Sequence, residues 1–355
     1  MKLPQAAYNI EVGSGLVQNL ETHLERAGLS GPFLVVSQPR IFKAVGSGLR
    51  KRFPVVLIPE GERAKSFSTI TRLLNRFSDL HMTRQSTVIA LGGGVVGDVT
   101  GFAASMYMRG IAVVQAPTTL LAQVDSSIGG KTGINFRTVK NLVGAFHQPR
   151  LVLTDISTLK TLPVREYRSG LYEAIKYGII CDRRLFEEFA ANRDLLLLRD
   201  PEAVERLVAR CAAIKGDVVS RDEKEGDLRR VLNLGHTVGH GLEAAAGFRR
   251  LKHGEAVGFG MIAAVRISAA LSRMRQEQAA RVESVIRSIG SLPSMAGLKL
   301  KVIMEALQHD KKVRDGAVHF VLPLEIGRVE ITNAVPLELV RETVKVLIDE
   351  NKVRR

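Results

Sequence analysis

Three histidines in a short stretch of the chain give the first indication of chemistry. His236 and His240 stand four residues apart in HTVGH, and His253 follows in KHGEAV. Residues i and i+4 share one helix face, and neutral imidazole is a good Zn²⁺ ligand. A carboxylate usually completes a catalytic zinc site, and Glu173 and Glu255 are both candidates. The spacing favours a metal site over histidines that merely line helices, but it leaves open which residues bind.

A glycine-rich turn follows the apolar run STVIAL. Glycines at the end of a strand let the backbone approach a pyrophosphate, and the next helix offers free N–H groups to it. This favours a dinucleotide site, with a tight strand-to-helix connection as the competing interpretation, because the match to G-x-G-x-x-G is imperfect. The turn comprises Gly92, Gly93, Gly94, Val95, Val96, Gly97 and Asp98.

A second glycine turn, in VDSSIGGKTGIN, resembles a P-loop. The pattern G-x-x-x-x-G-K-[ST] requires a glycine five residues before Gly130, where this chain has Asp125. A carboxylate at the mouth of an anion-binding turn would repel phosphate. The segment therefore fails as an ATP site.

Several cationic and amide side chains stand in apolar or glycine-rich settings. Most lysines are solvated surface charges, and that is the default interpretation of each one alone. If they converge, they could hold a phosphate and a carboxylate together. The set is Arg109, Lys131, Lys140, Asn141, Lys176, Lys215, Arg229, Asn233, Lys311 and Lys312.

The elements that must position these residues fall into two classes. Short β-branched runs such as FLVVS, STVIALGGG and LVLTD alternate with amphipathic segments and predict a mostly parallel sheet covered on both faces. From about residue 160 the i, i+3, i+4 pattern predicts helices. We expect a Rossmann-like α/β domain over residues 1–158, a mostly α-helical domain over 159–355, and an active site in the cleft between them.

The composition restricts the classes of partner. The 355 residues include 51 Lys+Arg and 36 Asp+Glu, a net charge of +15 that favours anionic partners. There is no Trp, the basic residues are scattered, and no nucleic-acid-reading module is recognisable, so we expect no nucleic-acid partner. Two separated cysteines and the lack of a secretory or membrane-spanning segment predict a cytoplasmic protein without a membrane partner.

Together these stretches closely resemble 3-dehydroquinate synthase, a sugar-phosphate cyclase family of the shikimate pathway of aromatic amino acid biosynthesis. The resemblance runs over nearly the whole chain. It rests on PEGERAKS, GGGVVGDVTGFAAS, PTTLLAQVDSSIGGKTGIN, KNLVGAFHQP, LKTLPVREY, GLYEAIKYG, LNLGHTVGH, HGEAVGFGM and DKK.

The resemblance implies a site made of three groups of residues. Zinc or cobalt would bind Glu173, His236 and His253, which leaves His240 for the substrate. Substrate phosphate and carboxylate would meet Lys131, Asn141, Lys176, Lys215, Arg229, Asn233, His240 and Lys311 or Lys312. NAD would lie against the GGGVVGD turn and Glu62, Lys65, Thr118, Thr119, Asp125, Lys131, Lys140, Thr158, Thr161, Leu162 and Glu166. Arg109 would reach the substrate of a neighbouring subunit, which implies a homodimer.

The resemblance also implies the reaction. NAD would oxidise a hydroxyl of 3-deoxy-D-arabino-heptulosonate 7-phosphate, phosphate would leave by β-elimination, and re-reduction with an intramolecular aldol closure would give 3-dehydroquinate. Four positions, at three places in the chain, depart from the family pattern. Gln38 replaces an acidic residue expected beside the adenosine ribose, Phe136-Arg137 replace His-Pro, and Tyr172 replaces a small residue.

Two other enzyme classes compete with this interpretation. A related cyclase could act on sedoheptulose 7-phosphate, although Lys215, Asn233 and His240 match the dehydroquinate pattern. A metal-dependent polyol or glycerol-phosphate dehydrogenase could have a similar fold, but it would release NADH in each turnover and would not need the SSIGGKT and DKK motifs.

Overall fold

A parallel sheet organises the first part of the chain. In this computed structural model the residues described are 1, 7–137, 139–247, 249–308, 313–314 and 317–352. The strands are β1 Asn9–Gly13, β2 Phe33–Ser37, β3 Val55–Leu57, β4 Thr87–Gly92, β5 Ala112–Pro117, β6 Lys131–Phe136, β7 Val139–Phe146, β8 Leu151–Asp155, β9 Val313–Arg314, β10 Ala317–Val318, β11 Phe320–Glu325 and β12 Arg328–Thr332.

Six of these strands form one sheet in the order β1-β8-β5-β4-β2-β3, and every neighbouring pair in it is parallel. The pairs β6–β7, β9–β10 and β11–β12 are antiparallel. Short apolar strands separated by helices give this topology because parallel neighbours need a crossover connection.

Both faces of the six-stranded sheet are buried. In β4, Val88 and Ala90 belong to one apolar cluster, whereas Ile89 and Leu91 belong to another. Successive side chains of a strand point to opposite faces, so an uninterrupted apolar run serves two cores at once. This is the physical basis of the sheet predicted from STVIAL.

The helices cover the sheet and make up most of the remainder. They are α1 Leu20–Arg26, α2 Pro39–Ile41, α3 Phe67–Asp79, α4 Gly94–Met106, α5 Val164–Ile180, α6 Arg183–Ala191, α7 Arg193–Leu197, α8 Pro201–Arg221, α9 His236–Ala245, α10 His253–Ala270, α11 Gln276–Ser288, α12 Leu300–Gln308 and α13 Leu337–Glu350. Short 3-10 helices span Val17–Asn19, Ser47–Lys51, Gly61–Ala64, Tyr107–Arg109, Ile156–Thr161 and Leu228–Asn233, and π-helical turns span Phe42–Gly46 and Ala122–Ser126.

The chain forms two compact units. The first comprises residues 1–163 and 204–224, and the second comprises 164–203 and 225–355. The predicted fold class, a parallel α/β part followed by a mostly helical part, is confirmed. The domain boundary after residue 158 stays a prediction. Within the described residues, no helix has the length and apolar character needed to cross a membrane.

Glycines allow the helices of the second unit to pack closely. A Cβ added at Gly254 in α10 would lie 1.9 Å from the backbone oxygen of Ser169 in α5. One added at Gly260 would lie 1.8 Å from the backbone oxygen of Gly235, which immediately precedes α9. Because no side chain fits at these points, α10 lies directly against both neighbours. All three helices carry residues predicted for the metal site.

Candidate active site

Three helices of the second unit bring a carboxylate and two imidazoles together. Glu173 lies in α5, His236 begins α9 and His253 begins α10. The Nε2 atoms of His236 and His253 lie 3.7 and 3.3 Å from Oε1 of Glu173. One potential ligand atom of each residue lies within 4.8 Å of the other two. Two imidazole nitrogens and one carboxylate oxygen suit Zn²⁺ and leave a coordination position for substrate.

The electrostatic surroundings of His253 favour a cation. Burial acts to lower the pKa of His253, but hydrogen bonds from the ring to Glu173 and Glu243 outweigh burial and raise the pKa to about 10. The negative potential that stabilises a proton at this ring also stabilises a metal ion in its place.

Lys176 pairs with the same carboxylate. It lies one helical turn after Glu173, and its Nζ is 2.5 Å from Oε2 of Glu173. The two side chains are 1% and 0% exposed, so each charge is buried with its partner. A buried carboxylate retains its charge only when such partners compensate the loss of water.

Glu255, the other carboxylate candidate, has a structural contact instead. Its Oε2 accepts a hydrogen bond of 2.7 Å from the backbone N–H of Lys252, which caps the start of α10. Its Oε1 accepts a second bond of 2.5 Å from Nε of Arg165. Among the described residues, Glu255 belongs to no cluster of potential metal ligands. The two carboxylate candidates therefore differ in the structure: Glu173 lies in a cluster of potential metal ligands, and Glu255 caps a helix.

His240 lies beside the three clustered residues. Its ring centroid is 5.6 Å from that of His236 and 6.2 Å from that of His253. His240 also forms a second group of potential ligands with Glu243 and His253. The proximity of the His236 and His240 rings agrees with the shared helix face that their i, i+4 spacing predicts.

The other predicted site residues that the structure describes in the second unit lie in α5 and in the 3-10 helix Leu228–Asn233. Arg229 is 2% exposed in the 3-10 helix Leu228–Asn233. The Asn233 amide donates a 3.4 Å hydrogen bond to Glu225, and Glu166 pairs with Lys252 at 2.6 Å. Lys311 and Lys312 lie outside the described residues.

The GGGVVGD turn has the predicted strand-to-helix geometry. β4 ends at Gly92 and α4 begins at Gly94, with extended backbone at Gly93. An added Cβ would approach Val96 to 2.4 Å at Gly92 and Ser126 to 2.8 Å at Gly94. A side chain at either position would therefore clash with a neighbouring residue, so this close strand-to-helix turn requires glycine. The turn leads into the start of α4, and free N–H groups at a helix N-terminus can meet a pyrophosphate.

A hydrogen-bonded network in the first unit connects two of the predicted groups. Lys65 Nζ lies 2.5 Å from Oδ2 of Asp98 and donates a bond of 2.7 Å to Oδ1 of Asn141. Burial raises the pKa of Asp98, and the ammonium of Lys65 opposes that shift. Asp98 and Lys65 were predicted for NAD and Asn141 for substrate, so the network brings these two groups together.

Lys215 contacts Asp125, the residue that stands where a P-loop would need glycine. Its Nζ donates to the backbone oxygen of Asp125 at 2.5 Å and to Oδ1 of Asp125 at 2.8 Å. The side chain of Lys215 is 6% exposed. Asp125 therefore anchors a lysine from α8, a contact that no sequence spacing indicates.

The remaining predicted residues of the first unit lie at strand ends and turns. Thr118 donates its backbone N–H to Gly92 at 2.9 Å, and Thr119 accepts from the N–H of Ala122 at 3.2 Å. Arg109 is exposed and has a positive φ of 65°. Lys131 begins β6, Lys140 lies in β7, Glu62 lies in the 3-10 helix Gly61–Ala64, and Thr158, Thr161 and Leu162 lie in or after the 3-10 helix Ile156–Thr161.

The three departures from the family pattern have local explanations. Gln38 is 6% exposed and donates a 2.8 Å hydrogen bond to the backbone oxygen of Pro59. Phe136 packs edge-on against Phe67, and the Arg137 guanidinium lies over the Phe136 ring. Tyr172 fits because a Cβ at Gly258 would lie 2.9 Å from its ring, so glycine provides the space.

Sequence reasoning missed two residues with notable contacts. Asn135 donates to Glu62 at 3.0 Å and accepts from the backbone N–H of Asn141 at 3.0 Å, which links the β6–β7 hairpin to the loop that carries Glu62 and Lys65. Glu243 approaches His253. The signals were available, because Asn135 ends the SSIGGKTGIN motif and Glu243 follows His240 at i+3.

Comparisons with known proteins agree with these observations. A profile described as 3-dehydroquinate synthase N-terminal matches residues 55–169, and one described as 3-dehydroquinate synthase C-terminal matches residues 170–313. A 3-dehydroquinate synthase of Nostoc punctiforme is 45% identical over 357 residues, which cover 97% of this chain and 98% of that protein.

Solved structures of related cyclases share the fold. A 2-epi-5-epi-valiolone synthase from Streptomyces hygroscopicus, with NAD⁺ and Zn²⁺ bound, has a TM-score of 0.88 at 29% identity over 99% of both chains. A 2-deoxy-scyllo-inosose synthase complexed with carbaglucose-6-phosphate, NAD⁺ and Co²⁺ has a TM-score of 0.85 at 27% identity, covering 96% of this chain and 97% of that one. From the profiles, the near-full-length identity and the clustered Glu173, His236 and His253, the chain belongs to the 3-dehydroquinate synthase family.

Proposed function

We propose that this protein is a 3-dehydroquinate synthase. It converts 3-deoxy-D-arabino-heptulosonate 7-phosphate to 3-dehydroquinate and phosphate. The observation that carries this proposal is the 45% identity to a 3-dehydroquinate synthase over 97% of the chain. The clustered histidines and the glycine turn support it independently, because each fits a group that the chemistry needs.

The proposal includes NAD as cofactor, with Glu166 among its proposed contacts. The fit rests on the glycine turn between β4 and α4, which is too tight for side chains at Gly92 and Gly94 and leads into a helix N-terminus that suits a pyrophosphate. NAD⁺ would supply a hydride acceptor that is regenerated within each turnover. The other residues proposed for it are Glu62, Lys65, Gly93, Val95, Val96, Gly97, Asp98, Thr118, Thr119, Asp125, Lys131, Lys140, Thr158, Thr161 and Leu162.

The proposal includes Zn²⁺ or Co²⁺ bound by Glu173, His236 and His253. These residues fit the ion because they provide one carboxylate and two imidazole donors in a buried cluster. The metal would supply Lewis acidity toward the substrate hydroxyl. The buried pair with Lys176 holds Glu173 in place, and the hydrogen bond to Glu243 restrains the His253 ring.

The chain's own residues bind and orient the substrate. We assign its phosphate and carboxylate to Lys131, Asn141, Lys176, Lys215, Arg229, Asn233 and a lysine of DKK, because guanidinium and ammonium groups recognise such anions. His240 lies next to the metal ligands and can hold or move a proton. The departing phosphate can itself act as a base. Fixing one conformer of a flexible sugar acid is a large part of the catalytic task.

We also propose a homodimer in which Arg109 reaches the partner's substrate. Arg109 is exposed, and Met106 and Met108 beside it are 46% and 45% exposed. The β6–β7 hairpin adds exposed Leu142 and Phe146, each 47% exposed. Exposed apolar groups of this kind support a protein interface. The sequence has only two cysteines, Cys181 and Cys211, far apart in the chain, and this supports a reducing, cytoplasmic location.

The experiment that tests the function is phosphate release by metal-reconstituted protein with catalytic NAD⁺. The heptulosonate phosphate is compared with sedoheptulose 7-phosphate, while absorbance reports net NADH. We expect metal-dependent release from the heptulosonate alone, without NADH accumulation. Release from sedoheptulose 7-phosphate would favour the second candidate, a valiolone-type cyclase. This candidate is tested because the structure of 2-epi-5-epi-valiolone synthase matches this chain with a TM-score of 0.88. Stoichiometric NADH without phosphate would refute the cyclase proposal in favour of a dehydrogenase.

A further inference from the structure

We propose that Glu243 is a positioning residue that orients His253 for the metal. The inference rests on the metal site of the proposed function. The two nitrogens of the His253 ring face different carboxylates: Nε2 lies 3.3 Å from Oε1 of Glu173, and Nδ1 lies 3.2 Å from Oε2 of Glu243. The ring thus connects the proposed metal ligands to a further carboxylate.

This geometry fixes the tautomer of His253. With the metal on Nε2, the proton of the neutral ring lies on Nδ1 and is donated to Glu243. A carboxylate that accepts this bond holds the ring plane and makes the other nitrogen a stronger donor to the metal. Glu243 therefore acts on the metal through His253 and does not need to touch it.

The position of Glu243 in α9 supports this role. It stands three residues after His240 and seven after His236, so the three side chains lie along one face of the helix. Glu243 is 7% exposed. The helix that supplies the ligand His236 therefore also supplies the group that orients His253, the ligand from α10.

The alternative is that Glu243 is itself a ligand, since Glu243, His240 and His253 form a second group of potential ligands. Glu173 and Glu243 approach opposite nitrogens of the same ring. A metal held on the Nε2 side by Glu173 and His236 leaves Nδ1 for Glu243. The positioning role follows from that arrangement.

The test is metal binding by the apoprotein, measured by chelator competition with Zn²⁺ and Co²⁺. The variants are Glu243→Gln, which keeps an acceptor but loses the charge, and Glu243→Ala. We expect the affinity to fall about 10- to 100-fold in Glu243→Ala and by less in Glu243→Gln. The visible spectrum of the Co²⁺-saturated variants should keep its shape and intensity. The exposed Glu277→Gln in α11 is the control and should bind like the parent.

Several outcomes overturn the proposal. The contact would be merely structural if both Glu243 variants bound metal with the affinity of the parent, or if the unfolding temperature of the apoprotein fell without any loss of metal affinity. A changed spectrum at saturation, with a loss beyond about 10⁴-fold, would make Glu243 a ligand, since orienting partners cost less. If Glu243→Ala does not fold, Glu243→Gln decides the question. A parent that binds metal but releases no phosphate would refute the proposed function alone, whereas a parent that binds no metal would refute this inference as well.

Discussion

At the scale of single residues, Glu173 is a fully buried carboxylate with several nitrogen groups around it. Its buried carboxylate contacts the Lys176 ammonium at 2.5 Å, the His253 ring at 3.3 Å and the His236 ring at 3.7 Å. Three groups that are or can become cationic thus share one anion. The carboxylate therefore balances a buried lysine, and in our proposal it also contributes the anionic donor of the metal site.

Replacing Glu173 should separate these two functions. Glu173→Gln should lower Zn²⁺ affinity by more than about 100-fold, because even groups that only orient a ligand contribute 10- to 100-fold. It should also destabilise the protein by about 3–5 kcal/mol, since the Lys176 ammonium loses its buried counterion. Metal titration and urea unfolding measure the two effects.

The double variant Glu173→Gln, Lys176→Met is the control for the second effect. It removes both charges, so we expect most of the stability to return while metal affinity stays low. If stability does not return, the pair is not the main contribution of Glu173 to folding. If the single variant binds metal normally, Glu173 is not a ligand.

At the scale of elements, close helix packing at glycine sets the distances between the proposed metal ligands. Gly254 follows His253 directly and lies against the backbone of Ser169 in α5, four residues before Glu173. The contact fixes the start of α10 against the middle of α5. A small change in this contact should therefore be measurable as a change in metal binding.

Gly254→Ala should lower both stability and metal affinity. Its Cβ would lie 1.9 Å from the Ser169 backbone oxygen, so α10 must move away from α5, at a cost of about 1–3 kcal/mol or more. The control is Gly216→Ala in α8, where the nearest atom is 4.0 Å away and a gain of up to about 1 kcal/mol is expected. Thermal unfolding and Zn²⁺ titration check both variants. Parent-like behaviour of Gly254→Ala would show that the helices are not held at this contact.

An ion-pair network links three helices of the second unit and predicts a pH dependence. Arg266 in α10 donates to Glu283 in α11 at 2.6 Å and to Glu350 in α13 at 2.9 Å, and Arg287 donates to Glu283 at 2.8 Å. Burial acts to raise the pKa of Glu283, but the hydrogen bonds from Arg266 and Arg287 outweigh it and lower the pKa. The contribution of Glu283 to this network is therefore present only while its carboxylate is ionised.

The sign of this effect follows from the lowered pKa. The contribution of Glu283 is present above its unfolded pKa of about 4.3 and is lost as the pH falls through the lower, folded value. Glu283→Gln should reduce the free energy of unfolding at about pH 7 by about 1–3 kcal/mol and make its decline toward acid shallower. The measurement is urea unfolding at a series of pH values from neutral to acid, with Glu277→Gln as control. An unchanged slope in Glu283→Gln would contradict the assignment.

At the scale of the whole molecule, the exposed apolar side chains of the β6–β7 hairpin support the proposed association of two copies of the chain. Leu142 and Phe146 are each 47% exposed in β7, and Phe136 in β6 is 40% exposed. Replacing Leu142 and Phe146 by Asp should convert the proposed dimer to a monomer, because buried unpaired carboxylates oppose association. Light scattering after size exclusion gives the mass. Leu198→Asp, at a residue 81% exposed in the second unit, is the control and should leave the mass unchanged. A parent that is monomeric throughout would refute the dimer.

The sequence by itself determined the chemistry and the class of fold. Apolar runs such as STVIAL specified buried parallel strands, because a strand that faces two cores has no polar alternation. Asp125 excluded a P-loop because a carboxylate repels phosphate. The ordered motifs identified the family, and the resemblance named Glu173, His236 and His253 as the ligand set.

Only the tertiary structure decided which of these groups meet. Sequence spacing shows only which residues share a face of one helix. From the residues alone, His236 and His240 are therefore the expected pair of metal ligands, and Glu173 and Glu255 are equally good candidates for the carboxylate ligand. Glu173 and His253 lie on other helices, and packing at Gly254 and Gly260 brings them to His236. Contacts such as Lys215 with Asp125 and Glu243 with His253 join residues of different elements. Their distances depend on how helices and turns pack, which local periodicity does not encode.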